Sequence, residues 1–459
     1  MNQRPQFGMR RPGFTRGPQL QILFEDSPLT AHSGESVAVA LLAGGVGILS
    51  RSIKFHRPRS AFCLTGDCGS CLMRIDGQPN QRACRTPVHE GLRCERQNAW
   101  PSASLDILAA ADEMFPEGMD HHSLMTSPRP LNQAMQLVVQ QLGGLGRLPD
   151  VAPPLESLPR SQARCVALLV VGAGPAGLAA ATEAARALGR AHKVLLVDAA
   201  PEAGGSYLGD PRFGPPAAAQ AVAQAAEAGV EILTSAAAIA YYPEESALDD
   251  GRLGLVAIST PAGMLKITAD CHLYATGGHE QNMLFADNDR PGVLAGRAVG
   301  RLHTQYGLSV GRRPLVVGDG DYAQALVAAL RETGAQVLHV DGRSERVQRA
   351  LGRSWVSGAI LATPEGFERR VDCDAIAVVQ PPAPAFELPH MHGAPLSLHA
   401  DGGFAVVCEP SGRTSVPGVW VCGEITGILG VQASRAHGQA VGAAVASALS
   451  EGAPCRERS

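Results

Sequence analysis

Four cysteines lie close together in the first fifth of the chain, with a spacing suited to binding a metal cluster. They belong to a set of eleven and follow the pattern C-x4-C-x2-C, then twelve residues, then C. The first three match the plant-type ferredoxin pattern, in which thiolates hold the two bridged irons of a 2Fe-2S cluster. The pattern predicts four cluster ligands: Cys63, Cys68, Cys71 and Cys84.

The residues between these cysteines suit a tight loop followed by a hairpin. Gly66 and Gly69 allow the backbone to wrap closely and turn its N–H groups inward. The sequence predicts a strand over 72–75, a turn at Asp76-Gly77 and a returning strand over 80–84. Such a hairpin carries Cys84 back beside Cys71.

Two other uses of the four thiols stay open at this point, namely a structural zinc site and a disulfide pair with two spectators. Zinc sites more often use two C-x2-C knuckles, and only one is present here. Cys94 lies outside the pattern and is expected to pack in the core. Single cysteines scattered along a chain are typical of reduced thiols, and seven are expected to be reduced: Cys94, Cys165, Cys271, Cys373, Cys408, Cys422 and Cys455.

A dinucleotide-binding fingerprint opens the next large segment, "VALLVVGAGPAGLAAATEAARALGRAHKVLLVD". An apolar strand leads into a glycine loop and an Ala-rich helix, and a second strand ends at Asp198. The first glycine allows a tight turn, the second lets the backbone approach a pyrophosphate, and the third brings helix and strand together. Asp198 would accept a hydrogen bond from the adenosine ribose. The loop residues are Gly172, Gly174, Pro175, Ala176 and Gly177.

A second segment far downstream favours FAD over NAD as the ligand of this loop. The stretch "GVWVCGEITGILGVQASRAHGQAVGAAVASAL" predicts a strand, a glycine-rich turn and a long helix of small residues. Glu424, after Gly423, is placed to accept a ribityl hydroxyl. The amides near Val431 and Gln432 would face the flavin pyrimidine edge from a helix N-terminus. An ordinary strand-to-helix turn is the alternative.

A second fingerprint, "PLVVGDGDYAQALVAALRETGAQVLHVDGR", interrupts the first and makes NAD a candidate ligand. Its loop contains Asp319 and Asp321, which would repel a pyrophosphate by about 1 kcal/mol or more for each close pair. A ligand-free nucleotide fold is therefore the alternative. The candidate contacts are Gly318, Gly320, Ala323 and Asp341.

The predicted fold class is α/β, a flavoprotein with two dinucleotide-binding domains and an N-terminal α+β ferredoxin-like 2Fe-2S domain. The predicted domains are a flexible basic arm (1–18), the 2Fe-2S domain (19–97), a connecting segment (98–163), an FAD-binding domain (164–295 and 411–459) and an inserted NAD-binding-like domain (296–410).

The composition is that of a globular protein, with 45% hydrophobic and 18% charged residues. A net charge of −4 gives no indication of a nucleic-acid partner. Glycine and proline interrupt the apolar runs, so no membrane span is expected. The expected location is cytoplasmic, with membrane association only through partners.

Three stretches together resemble a known family of oxidoreductase subunits. These are "SIKFHRPRS" before the cysteines, the GAGPAG loop, and "ADNDRPGVLAGRAVGRLHTQYGLSVGRR". They are similar to the α subunits of heteromeric sarcosine oxidase and to flavoprotein and iron–sulfur subunits of hydrogen cyanide synthase, opine oxidase and hydroxyproline dehydrogenase. The resemblance extends over nearly the whole chain and is specific at "HRPR" and "NDRPGV".

The resemblance implies a complex in which a partner β subunit oxidises an amino or imino acid on its own FAD. Electrons would then reach the iron–sulfur centre and the flavin of this chain, and further small subunits are candidate partners. Sarcosine oxidase α subunits typically lack the cluster cysteines, so their presence here favours a dehydrogenase. The chain ends at Ser459, before the folate-binding extension of those subunits, so folate chemistry is not expected.

No substrate-oxidising site is evident from the sequence. The histidines that could act as acid or base occur in no motif with a paired carboxylate, and no C-x-x-C accompanies either fingerprint. Two alternatives to the subunit hypothesis remain: a self-sufficient NAD(P)H-dependent reductase and a nucleotide-holding scaffold. "HRPRS" and the rim around Cys63 and Cys68 form the expected docking surface. The candidate histidines are His279, His303, His390, His392 and His437.

Overall fold

The computed structural model describes residues 11, 13–52, 55–97, 99, 106, 109, 127–133, 159–243 and 254–451. The chain forms two compact units. Unit 1 takes residues 1–152 and 282–379, and unit 2 takes residues 153–281 and 380–459. Most of the predicted connecting segment and most of the predicted basic arm lie outside the described residues.

The described strands and helices are numbered in chain order. The strands are β1 (Gln19–Phe24), β2 (Ser27–His32), β3 (Ser50–Arg51), β4 (Pro58–Arg59), β5 (Leu72–Ile75), β6 (Gln78–Arg82), β7 (Arg93–Glu95), β8 (Gln162–Val171), β9 (Val194–Val197), β10 (Glu231–Leu233), β11 (Ala237–Tyr242), β12 (Leu255–Thr260), β13 (Gly263–Tyr274), β14 (Gly278–His279), β15 (Val293–Ala295), β16 (Pro314–Val317), β17 (Leu338–Val340), β18 (Arg346–Gly352), β19 (Val356–Ala362), β20 (Glu368–Val371), β21 (Ala375–Val378), β22 (Ala383–Pro384), β23 (Leu396–Leu398), β24 (Phe404–Val406) and β25 (Val419–Val421). The helices are α1 (Val37–Ala43), α2 (Pro175–Leu188), α3 (Gly214–Glu227), α4 (Gly296–Thr304), α5 (Gly320–Glu332), α6 (Glu387–Met391) and α7 (Val431–Glu451).

The first part of unit 1 is a five-stranded sheet in the order β2-β1-β7-β5-β6, covered by α1. Asp76 and Gly77 both have positive φ, which makes the tight turn that joins β5 to β6. Ser36 caps α1 by accepting a hydrogen bond from the N–H of Val39, and six of the seven helix residues are buried. The β5–β6 hairpin is the one predicted from the sequence, although its second strand begins two residues earlier.

The second part of unit 1 is a parallel sheet in the order β15-β21-β16-β17, with an antiparallel sheet β18-β19-β20 beside it. One apolar core runs through both parts of the unit, from Ile22 in the first sheet to Val378 in the second. The ferredoxin-like and nucleotide-type domains are therefore packed together without a solvent gap between their cores.

The described end of the predicted flexible arm is docked on unit 1. The N–H of Arg11 donates to the carbonyl oxygen of Gly307 at 3.0 Å. The Phe14 ring lies where a side chain at Gly307 would be, and Arg16 forms an ion pair with the buried Glu35. Glycine at 307 makes room for the aromatic ring, so the described end of the arm has contacts that the sequence did not predict.

Unit 2 is built on the sheet β10-β9-β8-β13-β12-β11, with β25 parallel to β13. Helices α2 and α7 cover one face. They lie backbone to backbone, because a side chain at Gly438 or Gly442 would overlap the backbone of Ala176 or Ala180. The opposite face packs against residues from the chain after α6, among them Ala394 and Val406.

The compact units divide the chain at different positions from the predicted domains. The sequence placed the insertion at 296–410, whereas the chain leaves unit 2 after Gln281 and returns to it at Gln380. The earlier return follows from pairing, since β22 lies antiparallel to β14. These short strands had no periodicity long enough to be recognised from sequence.

The scattered cysteines differ from expectation at one position. Cys165, at the partly exposed start of β8, is disulfide-bonded. Cys455 lies outside the described residues, and the remaining five are free thiols: Cys94, Cys271, Cys373, Cys408 and Cys422.

Candidate functional site

The four predicted cluster cysteines come together in one loop and hairpin of unit 1. Cys63, Cys71 and Cys84 are buried, whereas Cys68 is exposed. Hydrogen bonds with Cys68 and Cys84 lower the pKa of the Cys63 thiol, and a hydrogen bond with Cys84 lowers that of Cys71. The same contacts raise the pKa values of Cys68 and Cys84. The four sulfurs thus touch one another in a chain of pairs.

The loop backbone explains how the thiols converge. Leu64, Gly66 and Gly69 all have positive φ, so the chain curls around Cys63 and Cys68. The N–H of Thr65 points inward and donates to the Cys63 sulfur at 3.4 Å. On the hairpin side, the N–H of Ala83 donates to the carbonyl oxygen of Cys71 at 3.1 Å, which fixes Cys84 beside it.

The donor set is four thiols, which is the set that a 2Fe-2S cluster takes. Pairs of thiols, Cys63 with Cys68 and Cys71 with Cys84, suit two irons that each take two thiolates. Zinc would need all four around one point. Cys94 is separate, because it is buried in β7 and lies 3.6 Å from the carbonyl oxygen of Leu23.

The two most specific sequence motifs meet beside this loop. Arg59 of "HRPR" donates to Asp289 of "NDRPGV" at 2.7 Å. His56 of the same motif is buried and lies 2.9 Å from Asp106. These two contacts help to hold the unit together internally, and the expectation that "HRPRS" is a docking surface stays a prediction. Asp67 and Cys68 remain as an exposed rim.

The first glycine loop, in unit 2, has an open cradle at its centre. Gly172 has φ +107° and packs against the carbonyl of Ala275, and Gly177 packs on the carbonyl of Gly172, so both positions exclude a side chain. Gly174 has an ordinary φ of −84° and is the N-cap residue of α2. No side chain caps this helix. A Cβ there would meet only Gly205, at 3.9 Å. Uncapped N–H groups beside an open glycine suit a pyrophosphate.

Asp198 has a structural task that the sequence did not reveal. Its carboxylate accepts a hydrogen bond from the N–H of Ala173 at 2.7 Å and another from Ala200 at 2.6 Å. It therefore fixes the glycine loop from the end of β9. Each carboxylate oxygen has a further lone pair, so the predicted contact to ribose remains compatible with this role.

The downstream turn lies against the same loop. A Cβ at Gly423 would meet the Ala176 side chain at 2.6 Å, and one at Gly277 would meet the buried Glu424 carboxylate at 3.8 Å. The N–H of Gly423 donates to Nδ1 of His437 at 3.2 Å, a contact that the sequence did not predict. Burial lowers the pKa of His437, which keeps Nδ1 available as an acceptor.

The residues at the start of α7 are only partly placed as predicted. Val431 is buried against Tyr207, Leu208 and Ala218, so its side chain serves packing. The Gln432 side chain is exposed. Both stand in the first turn of the helix, where backbone N–H groups have no partner within the helix.

The second glycine loop, in unit 1, is arranged differently. Gly318 packs on the carbonyl of Val379, and Gly320 has φ +85°. Asp319 is the N-cap residue of α5 and forms an ion pair with Arg343 at 2.7 Å. Ala323 is fully buried. Gly320 has open space around it, as Gly174 does, and no side chain caps α5. The carboxylates of Asp319 and Asp321 are therefore what distinguishes this loop from the first.

The structure pairs one candidate histidine with a carboxylate, which the sequence did not suggest. His279 Nε2 lies 3.3 Å from Glu387, a residue 108 positions away. Both side chains are largely exposed, and the antiparallel pairing of β14 with β22 brings them together. The other histidines have structural surroundings: in His390 the ring contacts a backbone carbonyl, and His303 is buried.

A buried group of rings lies beneath the end of β13 in unit 2. Tyr274 is hydrogen-bonded to His392 at 2.5 Å, and Tyr241 stacks on that ring at 3.5 Å. Within the described part of the chain, neither nitrogen of His272 has a hydrogen-bond partner. Burial lowers the pKa of His272 to about 3 and that of His392 to about 4.

Two domain families match the chain. Residues 17–99 match a 2Fe-2S iron-sulfur cluster binding domain, and residues 166–359 match a pyridine nucleotide-disulphide oxidoreductase domain. Sarcosine oxidase subunit alpha of Rhizobium meliloti strain 1021 is 29% identical over 96% of this chain. Hydrogen cyanide synthase subunit HcnA of Pseudomonas aeruginosa is 38% identical over 79 residues, which are 17% of this chain and 75% of that protein.

Through its ferredoxin-type domain the chain belongs to the family of HcnA-type hydrogen cyanide synthase subunits, and over most of its length it is similar to sarcosine oxidase α subunits. It combines a 2Fe-2S domain with an FAD-type dinucleotide-binding domain, and the predicted fold class is confirmed. The chain spans about half the length of the sarcosine oxidase subunit that it matches, 47% in the Rhizobium meliloti protein.

The solved structure of L-proline dehydrogenase from P. horikoshii has a similar fold, with a TM-score of 0.71 over 96% of this chain and 77% of that one. At 21% identity the likeness concerns the fold alone. None of the described helices is long and apolar enough to cross a membrane.

Proposed function

We propose that the chain is the electron-transfer subunit of a multi-subunit dehydrogenase that oxidises an amino or imino acid on a partner FAD-dependent β subunit. The candidate substrates are sarcosine, proline or hydroxyproline, an opine or glycine. In this proposal Cys63, Cys68, Cys71 and Cys84 hold the cluster. The FAD is held by Gly172, Gly174, Pro175, Ala176, Gly177, Asp198, Gly423, Glu424, Val431 and Gln432.

The observation that carries this proposal is the combination of two cofactor cradles in one chain. Four thiols touch one another in a buried loop of unit 1, and an open glycine cradle ends the first strand of unit 2. When bound, a flavin exchanges electrons in pairs and a 2Fe-2S cluster passes them singly. The relatives are named as subunits, which supports a partner polypeptide.

The chain's own residues have distinct tasks in this proposal. The buried thiols and inward N–H groups shield the cluster, while Cys68 and Asp67 give it one exposed edge, the expected place for electron exchange with a partner. Asp198 holds the glycine loop in the shape that offers uncapped N–H groups to the pyrophosphate. Gly423 closes against Ala176 and leaves Glu424 beside Gly277.

Metal analysis and EPR test the cluster assignment. The purified chain is expected to hold about two irons and to give an EPR signal when reduced. Serine at any one of the four cluster cysteines should abolish the signal. Cys94→Ser is the matched control, since that thiol is buried but outside the array, and it should keep the signal. Anaerobically prepared protein with zinc and no iron would refute the assignment.

Steady-state assays test the subunit assignment. The chain alone should not oxidise sarcosine, proline, hydroxyproline, opines or glycine, and activity should appear when the partner flavoprotein is added. The complex should reduce an artificial dye or quinone faster than oxygen. Turnover by the isolated chain would refute the need for a partner, and faster reduction of oxygen would refute the dehydrogenase assignment alone.

A self-sufficient NAD(P)H-dependent reductase is the second candidate, favoured by the pyridine nucleotide-disulphide oxidoreductase match over residues 166–359. Such an enzyme would bind NAD(P)H at Gly318, Gly320, Ala323 and Asp341. Asp319 and Asp321 oppose this, because they place carboxylates at the first turn of α5. Bleaching of the flavin by NADH in the isolated chain would favour the reductase, and an unchanged flavin spectrum would favour the subunit.

A further inference from the structure

Helix α4 contacts the backbone on both sides of Cys63. At the start of the helix, the N–H of Ala295 donates to the carbonyl oxygen of Phe62 at 3.1 Å. Two turns later, Nη1 of Arg301 donates to the carbonyl oxygen of Leu64 at 3.4 Å. Cys63 itself is 1% exposed. A helix of the nucleotide-type domain therefore holds the peptide groups that flank a proposed cluster ligand.

The two contacts differ in their electrical character. The Ala295 N–H is a neutral donor, whereas the Arg301 guanidinium carries a permanent positive charge at any pH in the physiological range. A 2Fe-2S cluster gains one negative charge when it is reduced. A positive charge near a partly buried cluster stabilises the reduced form, and charge and hydrogen bonding around the sulfurs are known controls of cluster potential.

Apolar side chains anchor helix α4. The buried residues Ala298, Val299 and Leu302 fix α4 in the core of unit 1. The Ala295–Phe62 hydrogen bond ties the helix to the cluster loop without help from a side chain. Replacing the partly exposed Arg301 therefore removes a charge while most of the packing stays in place.

We propose that Arg301 is a positioning residue that raises the reduction potential of the cluster bound at Cys63, through its charge and its hydrogen bond to Leu64. This inference rests on the cluster assignment in the proposed function. It adds a role for the nucleotide-type domain, which supplies the charge that tunes a cofactor of the neighbouring domain. No ligand in the second glycine loop is required.

The test is an EPR-monitored redox titration of the purified full-length chain. Arg301→Met should shift the ratio of reduced to oxidised cluster at a fixed potential about tenfold toward the oxidised form, which is about 59 mV for a one-electron couple. Arg301→Gln, a second neutral variant that keeps a polar head, should shift it in the same direction. Arg301→Lys keeps the charge and should restore most of the wild-type potential.

Arg331→Met is the matched control. Arg331 also lies on a helix of unit 1 and donates to a backbone carbonyl, that of Val337, at 3.5 Å, but not to the cluster loop. Arg331→Met should leave the reduction potential of the cluster unchanged. An iron-loaded neutral variant at position 301 with the wild-type potential would overturn the inference and leave the proposed function intact. A wild-type chain without iron would overturn both.

Discussion

The two glycine loops share a fingerprint and differ in how their polar groups are used. In the first, Gly174 has φ −84° and open space around it, and no side chain caps the helix that follows. In the second, Gly320 has φ +85°, and Asp319 pairs with Arg343 across the loop. Both loops are open at the middle glycine and neither helix has a side-chain cap, so the loops differ in the φ of that glycine and in the carboxylates of the second loop.

Asp198 and Asp341, the acids that follow β9 and β17, differ in their hydrogen-bond partners. Asp198 accepts from the N–H of Ala173 inside the glycine loop. Asp341 accepts instead from Arg343 and Ser344 in its own turn, and these hydrogen bonds lower its pKa. A fingerprint therefore specifies a strand-loop-helix shape, and only the partners of its polar groups show whether the shape is prepared for a phosphate.

The largest expected difference between the loops is in flavin content. Gly174→Leu requires no strained φ, and its Cβ would meet only Gly205 at 3.9 Å, so we expect the fold to survive while the side chain fills the cradle. The purified variant should contain no FAD, as measured by absorbance and chromatography after denaturation. Full flavin content in a folded Gly174→Leu protein would show that the first loop is not the site.

Gly320→Leu is the matched control in the second loop. It is expected to cost about 1–2 kcal/mol of stability, because a side chain at φ +85° is strained. The flavin content should be unchanged. Loss of flavin from this variant would remove the distinction between the two loops.

The next prediction concerns the acid stability of unit 2, where two buried histidines lie beneath the end of β13. His272 and His392 have pKa values of about 3 and 4 in the folded chain, against about 6.5 when unfolded. Below pH 6.5 the unfolded state binds protons that the folded state does not. The free energy of unfolding should fall by about 1.4 kcal/mol per pH unit for each ring until the pH reaches the folded pKa.

Chemical denaturation between pH 7 and pH 4 measures this effect. His272→Leu has a similar volume and removes two unpartnered nitrogens, so it should stabilise the chain and flatten the pH dependence. His339→Leu in unit 1 is the control. It loses the hydrogen bond to the Gly318 carbonyl at 2.8 Å and should destabilise at all pH values. An unchanged slope in His272→Leu would contradict the assignment.

The smallest expected difference is between Asp198 and Asp341, the acids that follow β9 and β17. Asp198→Asn keeps one acceptor where the carboxylate had two, so it should weaken the loop by about 1–2 kcal/mol. FAD affinity should fall by about tenfold, measured by rebinding to the flavin-free protein. Asp341→Asn, at an exposed turn, should change neither the stability nor the FAD affinity measurably. Equal effects would contradict the comparison.

Short sequence patterns were enough to predict the positions of the cysteine array and of the glycine loops. The cysteine spacing predicted an array that the fold does assemble, and the glycine positions predicted where backbone must pack on backbone, as at Gly177. Such features arise within about twenty residues, where chain geometry limits the outcome. The domain boundaries were harder, because the two-residue strands β14 and β22 become visible only when they pair.

The roles of charged residues depended on partners distant in the chain. The pairing of Arg59 with Asp289, which is 230 residues away, was not predicted. His279 was expected to lack a carboxylate partner, but Glu387 lies beside it. Neither periodicity nor residue spacing predicts such pairs, because the two charged groups come close only when the chain is folded.

The sequence by itself determined the α/β fold class, the spacing of four thiols and the small residues that the loops require, because these follow from short-range sterics and from what iron and phosphate bind. Only the tertiary structure decided which partner Asp319 takes, what Asp198 holds and which arginine stands beside Cys63. Those outcomes depend on packing between elements far apart in the chain, where burial and charge pairing select one partner among many.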